Sequence, residues 1–301
     1  MKILITGANG MVGQNFYRYL NNSNNDIYLT SRRNINLNLA KNYIQNDFLS
    51  FKSFNDIKKF VNPDLIIHCA AMTNVDDCEI YKQKAYKINV ESTKLLMDLF
   101  HDKKIIYIST DAVFGEKNNN KVNEKPHPDN YYGLTKYSSE KIILNNKTNT
   151  VIRTTPIGFN YYDNSGFLNW ALTSITSKKK INLFSDIYFN PIHSSLLILY
   201  IMKIVENNLS GIFHINSNFK YSKYEFVYKL ANYLQIDNSC INKISSNDVS
   251  LKAKRNKNQV LMIDNSEKKL NVILPNLEDN FKIISQELFD NKFLFKLFKR
   301  E

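Results

Sequence analysis

A chain of 301 residues with 43% hydrophobic content can bury a large core, in one big domain or two modest ones. Its longest apolar stretch, Leu196 to Met202, falls far short of the roughly 20 residues that a spanning helix needs, which excludes a transmembrane helix. The net charge of +12 rests on lysines scattered among Asn-rich segments; neither Lys178-Lys179-Lys180 nor the tail Lys296 to Arg300 carries the defined motif of a nucleic-acid reader, so both read as solvated surface.

The apolar run Lys2 to Thr6 predicts a strand, and Gly7, Gly10 and Gly13 follow it directly, with Met11 and Val12 between the last two. A helix-like stretch then continues to Leu20. Glycine permits a sharp turn, lets backbone approach a pyrophosphate and lets helix pack on strand, while the helix N-terminus offers unpaired N–H groups. The spacing is weaker than G-x-G-x-x-G, so its place between strand and helix carries the reading. With a strand at residue 2 and no leader before it, the expected location is cytoplasmic.

A second strand at Ile27 to Leu29 leads into Thr30-Ser31-Arg32-Arg33. An NAD site would place a carboxylate here for the ribose 2′-hydroxyl. Ser31 and Arg32, supported by Arg33, suit a 2′-phosphate instead, so NADP is the expected cofactor and NAD the alternative. A helix over 54–60 and a strand at Leu65 to Ile67 come next, followed by Cys69-Ala70-Ala71, small side chains that would let backbone lie against a cofactor. Helix 79–100 and strand Ile105 to Ile108 continue the alternation. This rhythm predicts an α/β fold: a Rossmann-type doubly wound parallel sheet with a smaller C-terminal substrate-binding domain, and ligands at the carboxyl ends of the strands.

The strand at 105–108 ends in Ser109-Thr110-Asp111, and Tyr132-x-x-x-Lys136 stands 22 residues after Thr110, at the start of a helix expected over 133–145. Four residues apart on a helix puts the phenol and the ammonium on one face. A phenol of ordinary pKa near 10 is a poor acid or base at neutral pH, and a neighbouring ammonium favours its ionisation. Chance alone gives about two such spacings with 18 Tyr and 34 Lys, and the chain has two. Position separates them: Tyr132 lies at the helix start, near Thr110, whereas Tyr137 with Lys141 lies more than a turn deeper.

After a strand at Val151-Ile152 the rhythm loosens. A helix near Phe167 to Thr176, a turn at Asn190-Pro191, a buried helix at Leu196 to Met202 and a strand at Gly211 to Ile215 precede Ser222-Lys223-Tyr224-Glu225, a reciprocal capping pattern leading into Phe226 to Leu234. Cys69, Cys78 and Cys240 show no paired spacing and are expected as reduced thiols; the five histidines show no ligand spacing, so no metal is expected.

Taken together, these residues make the chain resemble the extended short-chain dehydrogenases/reductases, and most of all the dTDP-4-dehydrorhamnose reductases and related sugar-nucleotide 4-ketoreductases. The resemblance spans nearly the whole chain. Beyond the glycine turn and Tyr132 with Lys136, it rests on Ala70 to Asp76 with Glu79, on Ala85 and Ile88-Asn89-Val90, and on Ser109 to Gly115. It implies Thr110, Tyr132 and Lys136 as the catalytic trio. Gly7, Gly10, Met11, Val12 and Gly13, then Ser31 and Arg32, Asp47 and Phe48, Ala70 and Ala71, and again Tyr132 and Lys136, would surround the cofactor. Val75, Asp111 and Arg153 would meet the sugar nucleotide.

The implied activity is NADPH-dependent reduction of the 4-keto group of a nucleotide-linked 6-deoxyhexose, with that substrate as the partner and a homodimer as an assembly the resemblance allows. The implied division gives residues 1–154 to the cofactor domain, with 181–216 returning to it, and 155–180 with 217–301 to the substrate part. Pro156 stands where these reductases usually carry a tryptophan, and Asn256 where a proline is common, which leaves sugar and stereochemistry open. One alternative is an epimerase or dehydratase of the same fold, against which Ala112 stands, since dehydratases usually have a carboxylate there. Another is a noncatalytic NADP-binding regulatory subunit like the beta subunit of methionine adenosyltransferase, against which the intact trio stands.

Overall fold

The computed structural model describes residues 1–33 and 42–290; the basic tail Lys296 to Arg300 lies outside them. The first half runs β1 (Lys2–Thr6), α1 (Met11–Leu20), β2 (Asp26–Ser31), β3 (Tyr43–Gln45), α2 (Phe51–Val61), β4 (Leu65–His68), α3 (Val75–Ile80), α4 (Lys82–Tyr86), α5 (Ser92–Leu99), β5 (Lys104–Ile108), α6 (Tyr131–Ile143) and β6 (Thr150–Arg153). The second runs β7 (Pro156–Ile157), α7 (Phe167–Thr176), β8 (Ile181–Phe184), β9 (Tyr188–Phe189), β10 (Ile192–His193), α8 (Ser194–Glu206), β11 (Gly211–His214), β12 (Tyr221–Ser222), α9 (Lys223–Tyr233), β13 (Ile241–Ile244), α10 (Asp264–Leu270) and α11 (Leu277–Asp290).

Seven parallel strands form the central sheet in the order β11-β6-β5-β4-β1-β2-β3. From β1 the chain steps outward to β2 and β3, then crosses back to β4 and continues the other way. The connections after β1 and β4 therefore diverge, and a crevice opens over their carboxyl ends, where ligands bind in such sheets. Both faces of the sheet are covered, as the apolar strands require. Ile3, Ile5, Ile67 and Ile106 pack with Phe16 of α1 and with Leu197 and Ile201 of α8. Leu4, Ile66, Ile105 and Tyr107 point the other way, against Phe54 of α2 and Leu96 of α5.

A second apolar cluster joins Leu168, Leu172, Leu183, Phe189, Phe226, Leu230, Phe281 and Ile284, built from α7, β8, β9, α9 and α11. The two lobes meet along α1. Gln14 donates to Asn160 Oδ1 at 2.9 Å and accepts from Tyr161 N–H at 3.0 Å, and Asn15 donates to the Phe159 carbonyl at 3.2 Å. Helix α11 also joins both: Asn280 accepts from His193 N–H at 2.7 Å, and Glu287 accepts from Tyr161 and Ser195 hydroxyls at 2.8 and 3.0 Å.

Three expectations change. The return to the sheet domain is narrower than residues 181–216: Ile181, Leu183 and Phe189 lie in the second apolar cluster, and the chain rejoins the first at Ile192. The stretch after residue 217 is shared, because Ile263, Leu270 and Leu274 pack into the first cluster. The single helix expected over 79–100 is broken at Tyr81, whose φ of −109° and ψ of 56° leave helical geometry, and Lys87–Glu91 forms a π-helical turn. Among the described residues, no helix is long and apolar enough to cross a membrane.

Candidate functional site

Gly7 adopts φ +69°, a conformation that side chains disfavour, and a Cβ there would stand 2.7 Å from the Ala70 backbone. The turn after β1 is thus pressed against the chain leaving β4. At Gly13 a Cβ would lie 2.5 Å from the Gly7 carbonyl, so α1 packs back on its own entry turn. Gly10 is exposed and is the N-cap of α1 without any side-chain cap, so the first N–H groups of a ten-residue helix face outward beside half-buried Met11 and Val12. An uncapped helix start reached over glycine is a fit for a diphosphate.

At the carboxyl end of β2, Ser31 is fully buried, and its hydroxyl donates to the Arg33 carbonyl at 2.8 Å and pairs with Tyr43 Oη at 3.0 Å. The hydroxyl expected to meet a 2′-phosphate is therefore spent inside the turn, while Arg32 and Arg33 are exposed. Asp47 is exposed and receives Leu49 N–H, whereas Phe48 is buried against Phe54 with ring centroids 5.6 Å apart. Between them and β3, Asn46 is 1% exposed with both amide atoms unpartnered among the described residues, as is the Thr30 hydroxyl. Orphaned buried polar atoms beside an exposed arginine pair fit the nucleoside end of a dinucleotide.

Under the glycine turn, His68 ties β1, β4 and α5 together. Thr93 donates to the Asn89 carbonyl at 2.6 Å, so it accepts from His68 Nε2 at 3.1 Å, and Nδ1 accepts from the Thr6 hydroxyl at 2.7 Å. This network assigns the tautomer. Burial, with Lys136 nearby, lowers His68 to about 3, so it stays neutral. Asn89, in the π-helical turn, accepts from Met72 N–H at 2.7 Å and donates to Thr135 at 2.9 Å, fixing the Ala70–Ala71 segment against α6.

Thr110 follows β5 and caps a single 3₁₀ turn, Asp111–Val113; its hydroxyl donates to Asp111 Oδ1 at 2.8 Å and accepts from Ala112 N–H at 3.2 Å. Asn130 caps α6 by accepting from Gly133 N–H at 2.9 Å, and a Cβ on Gly133 would collide with the Ala112 carbonyl. That close approach brings Tyr132 to Thr110. Burial raises the Tyr132 phenol well above its ordinary value, the hydrogen-bonding Thr110 hydroxyl pulls it down, and Asp111 raises it again. Lys136, 2% exposed, donates to the Ile108 carbonyl at 2.7 Å and sits 4.0 Å over the Tyr107 ring. Burial lowers its ammonium to about 7 against the opposing pull of Glu140. The expected lowering of the phenol by this ammonium is thus not expressed: burial governs both groups.

Of the expected substrate contacts, half-buried Val75 opens α3, which packs on α6, and half-buried Asp111 lies beside Thr110. Burial raises the Asp111 carboxyl, while Lys223 lowers it. Arg153 is corrected. It is 1% exposed, with Nη2 and Nε on Glu140 at 2.8 and 3.0 Å, Nη1 on the Val122 carbonyl at 3.3 Å and its guanidinium 4.9 Å over Phe114. A guanidinium this buried, with its charge met by Glu140, is a structural tie between β6 and α6. The sequence reading missed Lys223, whose capping pattern marked it only as the first residue of a helix.

The sequence matches the RmlD substrate binding domain family over residues 1–289. It is 28% identical over 235 residues to dTDP-4-dehydrorhamnose reductase of Aggregatibacter actinomycetemcomitans, covering 75% of this chain and 76% of that one. It is also 28% identical over 266 residues to methionine adenosyltransferase 2 subunit beta of Xenopus laevis, covering 82% and 76%. The crystal structure of dTDP-4-dehydrorhamnose reductase from Bacillus anthracis in complex with NADP superposes with a TM-score of 0.84 at 24% identity, over 95% of this chain and 99% of that one.

Proposed function

The chain belongs to the RmlD substrate binding domain family, and on that premise we propose that it reduces the 4-keto group of a nucleotide-linked 6-deoxyhexose with NADPH, in the synthesis of a deoxysugar or a surface polysaccharide. The observation that carries the reading is the packing of Gly133 on Ala112, which seats the Tyr132 phenol beside the Thr110 hydroxyl at the carboxyl end of β5. When bound, NADPH supplies the hydride that reaches the ketone carbon. The glycine turn with the start of α1 holds the diphosphate, and Arg32 with Arg33 meets a 2′-phosphate.

Tyr132 is the acid. Its raised pKa keeps the phenol protonated at neutral pH, which is the state needed to give a proton to the ketone oxygen. Thr110 orients that oxygen by turning its hydroxyl proton from Asp111 toward the substrate. Lys136, bonded to the end of β5, positions the ribose next to the ring and, with a value near 7, returns a proton toward Tyr132 after turnover. Positioned proton transfer of this kind is worth about 10²- to 10⁴-fold in rate.

Tyr132→Phe is therefore expected to bind NADPH as the wild type does, by fluorescence titration, and to lose at least about 10²-fold in kcat. Wild-type turnover in that variant would remove Tyr132 from the mechanism. Incubating the protein with NADPH and a panel of nucleotide-linked 4-ketosugars reads the reaction type: one NADPH consumed per product means reduction, whereas conversion without net consumption means epimerisation or elimination. The likeness to methionine adenosyltransferase 2 subunit beta keeps a noncatalytic reading in play, marked by a stoichiometric protein partner and no turnover on any ketosugar.

A further inference from the structure

Lys136 carries its charge into the protein with no carboxylate in contact among the described residues. On a helix the ordinary partner stands four residues on, and Glu140 occupies that place. Its carboxylate is already taken: Oε2 accepts from Arg153 Nη2 at 2.8 Å and Oε1 from the Ser109 hydroxyl at 2.5 Å. The one hydrogen-bond acceptor of the ammonium among the described residues is the Ile108 carbonyl, at 2.7 Å. Its other close contact is the face of Tyr107, with Nζ 4.0 Å from the ring centre.

Tyr107 is 1% exposed and lies in register with His68 on the neighbouring strand, the two rings 5.4 Å apart. His68 is itself fixed by Thr6 and Thr93, so the ring has a rigid neighbour. The Tyr107 hydroxyl makes no hydrogen bond with any described residue, and Ser139 and Thr93, the hydroxyls that act on it, both donate to the Asn89 carbonyl, at 2.8 and 2.6 Å. A buried hydroxyl left unpaired is a cost that phenylalanine would not incur, so what the residue supplies here is its ring. A desolvated cation is attracted to the face of such a ring without spending a directional hydrogen bond on it. Of the three donors of an ammonium, the Ile108 carbonyl takes one.

Resting on the reduction proposed above, we propose that Tyr107 is the positioning residue for Lys136: its ring face, together with the Ile108 carbonyl, holds the ammonium charged at the end of β5 with a donor left over for the cofactor ribose. Burial brings that ammonium to about 7, so the support of the ring decides on which side of neutrality it titrates. The other titratable groups around it stay outside that window. At the end of β4, burial lowers His68 to about 3 and raises the Cys69 thiol to about 12. On α6 itself, burial raises the Tyr132 phenol, and Glu140 is paired with Arg153 of β6.

The test reads the pH dependence of kcat in wild type, Tyr107→Leu and Tyr107→Phe, with NADPH and a nucleotide-linked 4-ketosugar. Loss of a desolvated cation–π contact moves a titration by about one pH unit. The alkaline limb of kcat should therefore lie about one unit lower in Tyr107→Leu, whereas Tyr107→Phe, which keeps the ring, should follow the wild-type profile. Pentafluorophenylalanine at position 107 keeps the outline of the ring and reverses its field; it should reproduce the Leu shift, and it serves where the Leu variant does not fold. A Leu variant slowed by one factor at every pH, with the limb unmoved, would mean that the ring only fills space and overturns the proposal. A Phe variant that shifts as Leu does also overturns it, by assigning the effect to the hydroxyl. Urea unfolding reads the same ammonium without turnover: from pH 7 to 6, Tyr107→Leu should lose more stability than wild type, and in a Lys136→Met background that extra loss should vanish. An extra loss that persists there would put its origin elsewhere and overturn the proposal. If wild type reduces no 4-ketosugar, the reductase reading fails, and the unfolding comparison still judges the hold of Tyr107 on Lys136.

Discussion

Lys136 is a residue that the fold tolerates at a cost. An unfolded lysine titrates near 10.5, whereas burial brings the folded one to about 7, so between those values the unfolded chain binds a proton that the folded chain does not. Stability of the wild type therefore rises with pH across that window, and the penalty is fully present below about pH 7. Lys136→Met should abolish turnover yet stabilise the protein by about 2 kcal/mol at pH 6, with the gain fading toward pH 10.5. Urea unfolding at several pH values checks this. A Met variant less stable than wild type at pH 6 would show that the ammonium is not strained there.

At the level of elements, the start of α6 is set by a missing side chain. Gly133→Ala would push a methyl group into the Ala112 carbonyl and to 3.0 Å from Pro128 Cβ, so α6 must slide off the Asp111–Val113 turn. The expected result is a loss of about 10- to 100-fold in kcat, since misplacement by an ångström is enough, with stability lower by about 1–3 kcal/mol and NADPH affinity unchanged. Steady-state kinetics beside a binding titration separates the two effects.

Much of this element was legible beforehand, because a strand end, a cap and a four-residue spacing are local features. Strand β3 was not, since Tyr43–Gln45 is too short to show a period. Nor was the π-helical turn at Lys87–Glu91, whose one-residue insertion blurs the helical repeat without removing it. Arg153 misled for a different reason: its partner Glu140 lies on α6 and its stacking ring, Phe114, on the loop after β5, so only the packing of α6 on the sheet shows that the charge is already neutralised. Lys223 was hidden in the same way, for Phe189 and Phe167 reach it from distant parts of the chain.

At the scale of the whole molecule, the alternation of strands and helices announced a doubly wound parallel sheet, but neither the order of its strands nor which late segments return to it. Helix α11 makes the two lobes one unit, because Phe281 and Ile284 fill the second core while Asn280 and Glu287 bond to residues beside α8. Phe281→Ala should cost about 3–5 kcal/mol and still leave a single calorimetric transition. Two separated transitions would mean that the lobes unfold independently. The contacts of Gln14 and Asn15 across α1 are amide to amide and amide to carbonyl, with no formal charge among them. Added salt, which screens the +12 surface within about 8 Å at physiological strength, leaves these neutral amide bonds untouched, so ionic strength retunes how fast an anionic ligand arrives far more than the alignment it finds.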